Sequence, residues 1–207
     1  MYNKVITIGR EFGSGGHEIG ERLSNTLGIP LYDRNLVEMA SKEMGVDEYS
    51  LEQVDETALK GFLATYQIPD TPNSVTGYGL PLNDSMFLAQ SNIIDKLAQT
   101  GPCVIIGRCA DYILRDNPLC LNIFICATKE SRIRRIMDRY DLSEKEAADS
   151  IRRVDRKRKA YYETYTDKKW GSIESHQMLL NVSLLGLDQT VEVIKHLYLD
   201  LPNCCSN

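Results

Sequence analysis

The most constraining feature of the chain is its start: a β-branched run, Val5-Ile6-Thr7-Ile8, stops at Gly9 and leads into Gly13-Ser14-Gly15-Gly16. Apolar residues then recur at helical spacing, Ile19, Leu23 and Leu27, until Gly28 and Pro30 end the pattern. A strand, a glycine-rich loop and a helix in that order suit an open parallel sheet, and the helix N-terminus behind such a loop favours a phosphate or another anion. Glycines at 13, 15 and 16 can wrap backbone amides around the ligand, Ser14 and His17 can add hydrogen bonds, and Glu18 stands where a metal-bound water can be held. The bland alternative is a glycine-rich turn that only joins strand to helix.

The rest of the chain continues the alternation. Leu31-Tyr32 reads as a second strand running into Asp33-Arg34, and 35–59 as helix in two pieces broken near Gly45. Residues 68–84, dense in Pro, Gly, Asn and Thr, read as a long loop. Helical spacing returns from Met86 to Gln99, a buried strand at Cys103 to Ile106 closes at Gly107-Arg108, and Leu121 to Ala127 is another strand. Glu130 to Arg139 is helical, with Ile133, Ile136 and Met137 on one face and arginines on the other. Ser143-x-x-Glu146 has the form of a capping box before a helix with Ala147, Ile151 and Val154 inward. Met178 to Val182 reads as a last strand and Asp188 to Leu199 as a closing helix. The predicted fold is α/β, a parallel sheet of about five strands covered on both faces by helices.

Ligands of such sheets sit at the carboxyl ends of the strands. Three groups converge there: the glycine loop, Asp33-Arg34, and Gly107-Arg108. Two phosphate-loop patterns can be tested. The dinucleotide pattern G-x-G-x-x-G from Gly13 finds Glu18 in place of its third glycine, and the triphosphate pattern G-x-x-x-x-G-K-[ST] finds Gly16 in place of its lysine. The loop is therefore a relaxed phosphate loop. Two basic helical stretches, Arg132, Arg134, Arg135, Arg139 and Arg152, Arg153, Arg156, Arg158, offer guanidinium groups to a transferring phosphoryl. The alternative is a solvated face paired with Glu144, Glu146, Asp149 and Asp155. Arg153 and Arg156, flanking Asp155, are expected to face inward. Tyr161, Tyr162, Tyr165 and Trp170 either stack on a base or pack an interface, and Asp33-Arg34 is either a ligand pair or a surface ion pair. His176 and His196 are expected to be structural or exposed.

Composition narrows the partners. A net charge of −5 supplies no global basic field for nucleic acid or an anionic membrane. No apolar run approaches the roughly 20 residues of a bilayer span, and the start lacks the apolar stretch of a secretory signal, so a cytoplasmic location is expected. Six scattered cysteines without a C-x-x-C pair suggest buried thiols rather than a zinc site or a disulfide framework, with Cys204-Cys205 in a polar tail. Oligomeric state is not legible in the sequence.

Ile6 through Gly20, Leu31-Tyr32-Asp33-Arg34, Val104 through Asp111, and Lys169-Trp170-Gly171 with Leu180-Asn181-Val182-Ser183 together resemble the cytidylate kinase-like family, one of the nucleoside monophosphate kinases. The resemblance implies a single P-loop kinase domain, with its core at 1–34, 96–129 and 169–207. A helical acceptor-binding insertion would lie near 35–95 and an arginine-bearing helical lid near 130–168. It implies ATP and Mg2+, with ATP phosphates on Gly13, Ser14, Gly15, Gly16, His17 and Glu18, and the acceptor near Asp33, Arg34, Arg108 and Asp111. The charge of transfer would fall to Arg10, Arg108, Arg132, Arg153 and Arg156. The implied reaction moves the γ-phosphoryl of ATP to CMP, dCMP or a related monophosphate. The sequence departs from the family pattern at Gly16, where the lysine belongs, and at Gln90-Ser91, where a Gln-Arg pair belongs. The alternative function is accordingly a nucleotide-binding sensor or regulatory protein with impaired catalysis.

Overall fold

The computed structural model describes residues 2–33, 35–44 and 82–202. Five strands form one all-parallel sheet in the order β2-β3-β1-β4-β5: β1 Val5–Arg10, β2 Leu31–Tyr32, β3 Cys103–Ile106, β4 Cys120–Cys126 and β5 Met178–Asn181. The connection from β1 to β2 passes over β3, and that from β3 to β4 passes over β1. With right-handed crossovers the two connections leave on opposite faces and open a crevice at the strand ends beyond β1 and β3.

The helices are α1 Gly16–Leu27, α2 Asn35–Met44, α3 Leu82–Thr100, α4 Ala110–Ile113, α5 Lys129–Tyr140, α6 Glu144–Thr166 and α7 Val182–Asp200. The chain divides into two compact units, Met1–Asp33 with Leu97–Asn207, and Arg34–Lys96. In the first unit Ile6 and Ile8 of β1, Val104 and Ile106 of β3 and Ile123 and Ile125 of β4 meet Ile19 and Leu23 of α1 and Ile194 of α7. Each such fully buried side chain stabilises the fold by about 1.5–3 kcal/mol relative to an exposed one. In the second unit Leu36 and Ala40 of α2, and Ala89 and Ile93 of α3, are buried at helical spacing.

Helix ends follow local chemistry. Thr128 caps α5, its hydroxyl accepting from the Ser131 amide, and Ser143 with Glu146 forms the expected capping box on α6. Four details depart from the sequence reading. β1 runs past Gly9 to Arg10, pairing with Ile125 of β4. Leu82–Asp84, read as loop, form the first turn of α3, where Asp84 complements the helix dipole. Val182, read as strand, opens α7 because the Asn181 side chain accepts the Ser183 amide at 3.0 Å, and this helix is broken at Gly186. The one-turn helix α4 has too few residues to show a period. The helix expected beyond Gly45, the rest of the 68–84 loop, Arg34 and Cys204-Cys205 lie outside the described residues. Among the described residues no helix is long and apolar enough to cross a membrane.

Candidate active site

The N-cap of α1 is Gly15, at φ +92°, and no side chain caps the helix. Its first-turn amides have no intrahelical acceptors by geometry and open onto the strand ends. A Cβ on Gly15 would lie 2.6 Å from Nη1 of Arg135 and 2.8 Å from Leu187 Cδ2, so a guanidinium closely approaches the loop, and the left-handed backbone demands glycine. Arg135 of α5 thus covers the loop, held by Glu18 at 3.6 Å. Ser14 is fully buried and spends its hydroxyl on the Glu11 carbonyl, 2.9 Å away, which braces the loop. A cavity of about 580 Å³ flanks the loop, lined by Glu18, Glu21, Ser131, Arg134, Arg135 and Asp138 among others.

Beneath the loop stands Asp33, at the end of β2. His17 Nδ1 lies 2.9 Å from its Oδ2, and Arg10 Nη2 lies 3.5 Å from its Oδ1. Burial alone raises a carboxyl pKa; the His17 hydrogen bond and the charges of Arg10, His17 and Arg108 outweigh it and bring Asp33 down to about 2. Beyond β3 the backbone takes three consecutive positive φ values, Gly107 at +69°, Arg108 at +59° and Cys109 at +56°. Two non-glycine residues in this region cost free energy that the surroundings must offset, and such strain gathers at ligand sites. The turn leaves Arg108 7% exposed near the Asp33 carboxylate. The expected convergence of the glycine loop, Asp33 and Arg108 is therefore present in the geometry.

The arginines of the two basic helices divide by role. Arg132 is 7% exposed, and its Nε donates to the Phe12 carbonyl at 2.8 Å. Its Nη1 meets Glu11 at 3.0 Å and its Nη2 pairs with Asp155. Asp155 in turn accepts the Phe12 amide at 2.8 Å. Arg132 and Asp155 thus clamp the residue that enters the loop, and the guanidinium expected to meet a transferring phosphoryl is committed to two carboxylates. Arg153 and Arg156, expected inward, are exposed; the charged residues of α6 that turn toward the loop are Arg158, which is buried, and Asp155, which is half-buried. Arg158 is 5% exposed and its Nη1 donates to the Arg10 carbonyl at 2.9 Å. Sequence spacing could not single out Arg135 or Arg158, because Arg132, Arg134 and Arg135, like Arg152, Arg153, Arg156 and Arg158, are in each set like residues crowded on one helix.

Asp111, expected near the acceptor, turns instead to Tyr162, whose hydroxyl donates to it at 2.6 Å, and to His176 Nδ1 at 3.8 Å. Burial raises the Asp111 carboxyl and the Tyr162 phenol above their ordinary values. His176 is buried against Phe124 with Nδ1 3.1 Å from Asn122 Oδ1, and burial lowers its pKa to about 4, so it stands neutral. Asp111, Asn122, Lys168 and His176 line a separate cavity of about 250 Å³. Trp170 meets the Phe124 ring edge-on at 5.2 Å and Tyr161 packs on Tyr165 at 4.9 Å. Cys103, Cys109 and Cys120 are buried free thiols, Cys103 and Cys120 pushed by burial up to about 12. Among the described residues no group of three or more His, Cys, Asp or Glu side chains is placed to hold a metal ion.

Comparison with known proteins agrees with this geometry. No curated protein matches the chain. The crystal structure of an uncharacterized protein from Eubacterium ventriosum superposes with a TM-score of 0.69 at 26% identity, over 96% of this chain and 99% of that one. A shikimate kinase from Bacteroides thetaiotaomicron superposes with a TM-score of 0.52 at 13% identity, over 94% of this chain and 97% of that one, a likeness of fold. The sheet order, the uncapped glycine loop and these neighbours describe a P-loop kinase fold, and since residues 5–184 match the model of the cytidylate kinase-like family, the chain belongs to that family.

Proposed function

We propose that the protein moves the γ-phosphoryl group of ATP to CMP, dCMP or a related nucleoside monophosphate. The observation that carries this reading is the meeting, at the ends of β1, β2 and β3, of the uncapped α1 N-terminus with Arg10, Arg108 and Asp33, under Arg135. Family membership supports the reaction class. The loop amides of Gly13 to Glu18 hold the ATP phosphates, and Arg10 and Arg135 lower the cost of bringing a second anion to them. Mg2+ would be carried on the phosphate oxygens and would supply charge neutralisation there, and Glu18, which pairs with Arg22 and Arg135, would be the loop carboxylate to hold one of its waters.

The acceptor is already an anionic phosphate, so its oxygen attacks the γ-phosphorus with little need of a base, and ADP leaves. Asp33 fits that economy. With its pKa near 2 it is ionised at neutral pH and is a poor proton acceptor, and its work is to orient His17 and Arg10. Arg108, buried beside Asp33 at the strand ends, serves acceptor recognition. Residues 130–168 act as the lid: the Arg132–Asp155 pair ties both lid helices to the loop, and the exposed Arg156 and Arg153, the latter also donating to Ser150 Oγ at 3.5 Å, are the lid guanidinium groups that meet phosphate oxygens. Gly16 in the lysine position favours one other reading, a nucleotide sensor that binds without turnover.

The test is product analysis with purified protein, ATP, Mg2+ and a panel of nucleoside monophosphates, with Gly16→Asp as the control. ADP and the matching diphosphate above control establish the kinase. Saturable ATP binding with no product from any acceptor establishes the sensor, and absence of nucleotide binding refutes both.

A further inference from the structure

We propose that Arg10, at the end of β1, supplies the phosphate-neutralising charge that the strict triphosphate loop takes from its lysine, and that residue 16 is glycine because the Arg10 side chain fills the space beside it. The inference rests on the phosphotransferase reading for the identity of the ligand. Its steric half stands on geometry alone.

A Cβ on Gly16 would lie 2.7 Å from Arg10 Cβ and 3.1 Å from Arg10 Cγ. Those atoms are the stem of a side chain that is 7% exposed, not a flexible tip that can swing away. The backbone of Gly16 has no positive φ, so conformational freedom does not explain the glycine; the neighbour does. At the far end of the same side chain, Nη1 lies only 2.0 Å from where a Cβ on Gly107 would stand. Two glycines more than ninety positions apart thus make room for one arginine.

The path of the side chain follows from these contacts. Its stem passes beneath the first turn of α1, and its guanidinium arrives at the strand-end crevice between the loop and the Gly107-Arg108 turn. The Arg10 carbonyl is held by Arg158 at 2.9 Å, which fixes the point of departure. The head faces Asp33 at 3.5 Å, longer than the roughly 2.7–2.9 Å of a close charge-assisted bond. Asp33 therefore orients the guanidinium at the strand ends. A lysine grafted onto position 16 would compete with the Arg10 stem for one volume, so adding it to the natural sequence subtracts from the site.

The probes are tripolyphosphate, which carries the phosphates without a base, ATP, and adenosine, titrated by calorimetry alongside thermal melting. Arg10→Met weakens tripolyphosphate and ATP by about ten- to a hundredfold, the worth of a charge-assisted hydrogen bond, and leaves adenosine unchanged. Arg10→Lys retains part of the affinity. Gly16→Lys melts below wild type and binds no tighter, whereas Arg10→Gly with Gly16→Lys regains both melting temperature and tripolyphosphate affinity relative to Gly16→Lys. If Arg10→Met does not fold, the Arg10→Lys variant and the Gly16→Lys pair decide. Unchanged tripolyphosphate affinity in Arg10→Met, or a tighter and equally stable Gly16→Lys, overturns the proposal. Arg10-dependent binding with no product from any acceptor leaves it standing and refutes the kinase reading, and a protein that binds neither ATP nor tripolyphosphate overturns both.

Discussion

The clamp on Phe12 offers a sharp test of how the basic helices relate to the phosphate loop. In Asp155→Ala the Phe12 amide loses its acceptor, and Phe12 is 5% exposed, so water cannot replace that acceptor fully. An orphaned buried donor costs about 1–3 kcal/mol. Arg132 loses one carboxylate but keeps Glu11 at 3.0 Å and the Phe12 carbonyl at 2.8 Å, so the change falls short of the roughly 3–5 kcal/mol of a wholly uncompensated buried charge. Together these give about 3 kcal/mol. At about 2–4 °C per kcal/mol for a chain of this size, the melting temperature falls by about 6–12 °C. Arg132→Met costs about 4 kcal/mol, because it leaves two carboxylates without their cation and the Phe12 carbonyl without its donor. The double variant is less destabilised than the sum by about 1–3 kcal/mol. Trp170, the single tryptophan, lies in the unit that contains the clamp, and its fluorescence during chemical denaturation is the assay. A loss below about 0.5 kcal/mol for Asp155→Ala, or full additivity of the two changes, would refute the reasoning.

The Asp33 pKa lies below the ordinary carboxylate value, so its contribution is complete above about pH 4 and disappears as pH falls through about 2. Wild type is therefore more stable than Asp33→Asn by about 2 kcal/mol at pH 7, and in acid denaturation the two converge toward pH 2; a difference independent of pH counts against the assignment. Gly107→Ala and Gly28→Ala both force alanine into a left-handed backbone and lose about 1 kcal/mol in melting experiments. Only Gly107→Ala displaces the Arg10 guanidinium, so only it lowers tripolyphosphate affinity, since a Cβ on Gly28 meets nothing within 4 Å. Equal affinities in the two variants would break the link between Gly107 and Arg10.

Much of the architecture was legible in the residues because it rests on local rules. The glycine loop, the Gly28 stop, the Ser143–Glu146 capping box and the five strands each follow from neighbours a few positions away, and each is present. The errors are local too: the strict 3.6-residue period is too coarse to see the one-turn helix at Ala110–Ile113, and an Asn that can end a strand can equally cap a helix, as Asn181 does. Of the candidate site, the placement of the glycine loop, Asp33 and Arg108 just past strand ends was legible from the strands themselves, whereas the strand order that makes them neighbours came from the structure. The roles of individual charged residues were not.

A parallel sheet with an anion-seeking loop after its first strand is written into the residues, because periodicity, glycine placement and capping act within a few positions. Which arginines serve the loop depends on contacts between residues far apart in the chain. Arg132 and Arg158 are drawn inward by carbonyls of Phe12 and Arg10, more than a hundred positions distant, while Arg153 and Arg156 stay exposed although they share the same helix with Arg158. A run of like residues on a helix carries no mark of which member will meet a distant partner, and Gly16 and Gly107 show their common purpose only when Arg10 lies against both.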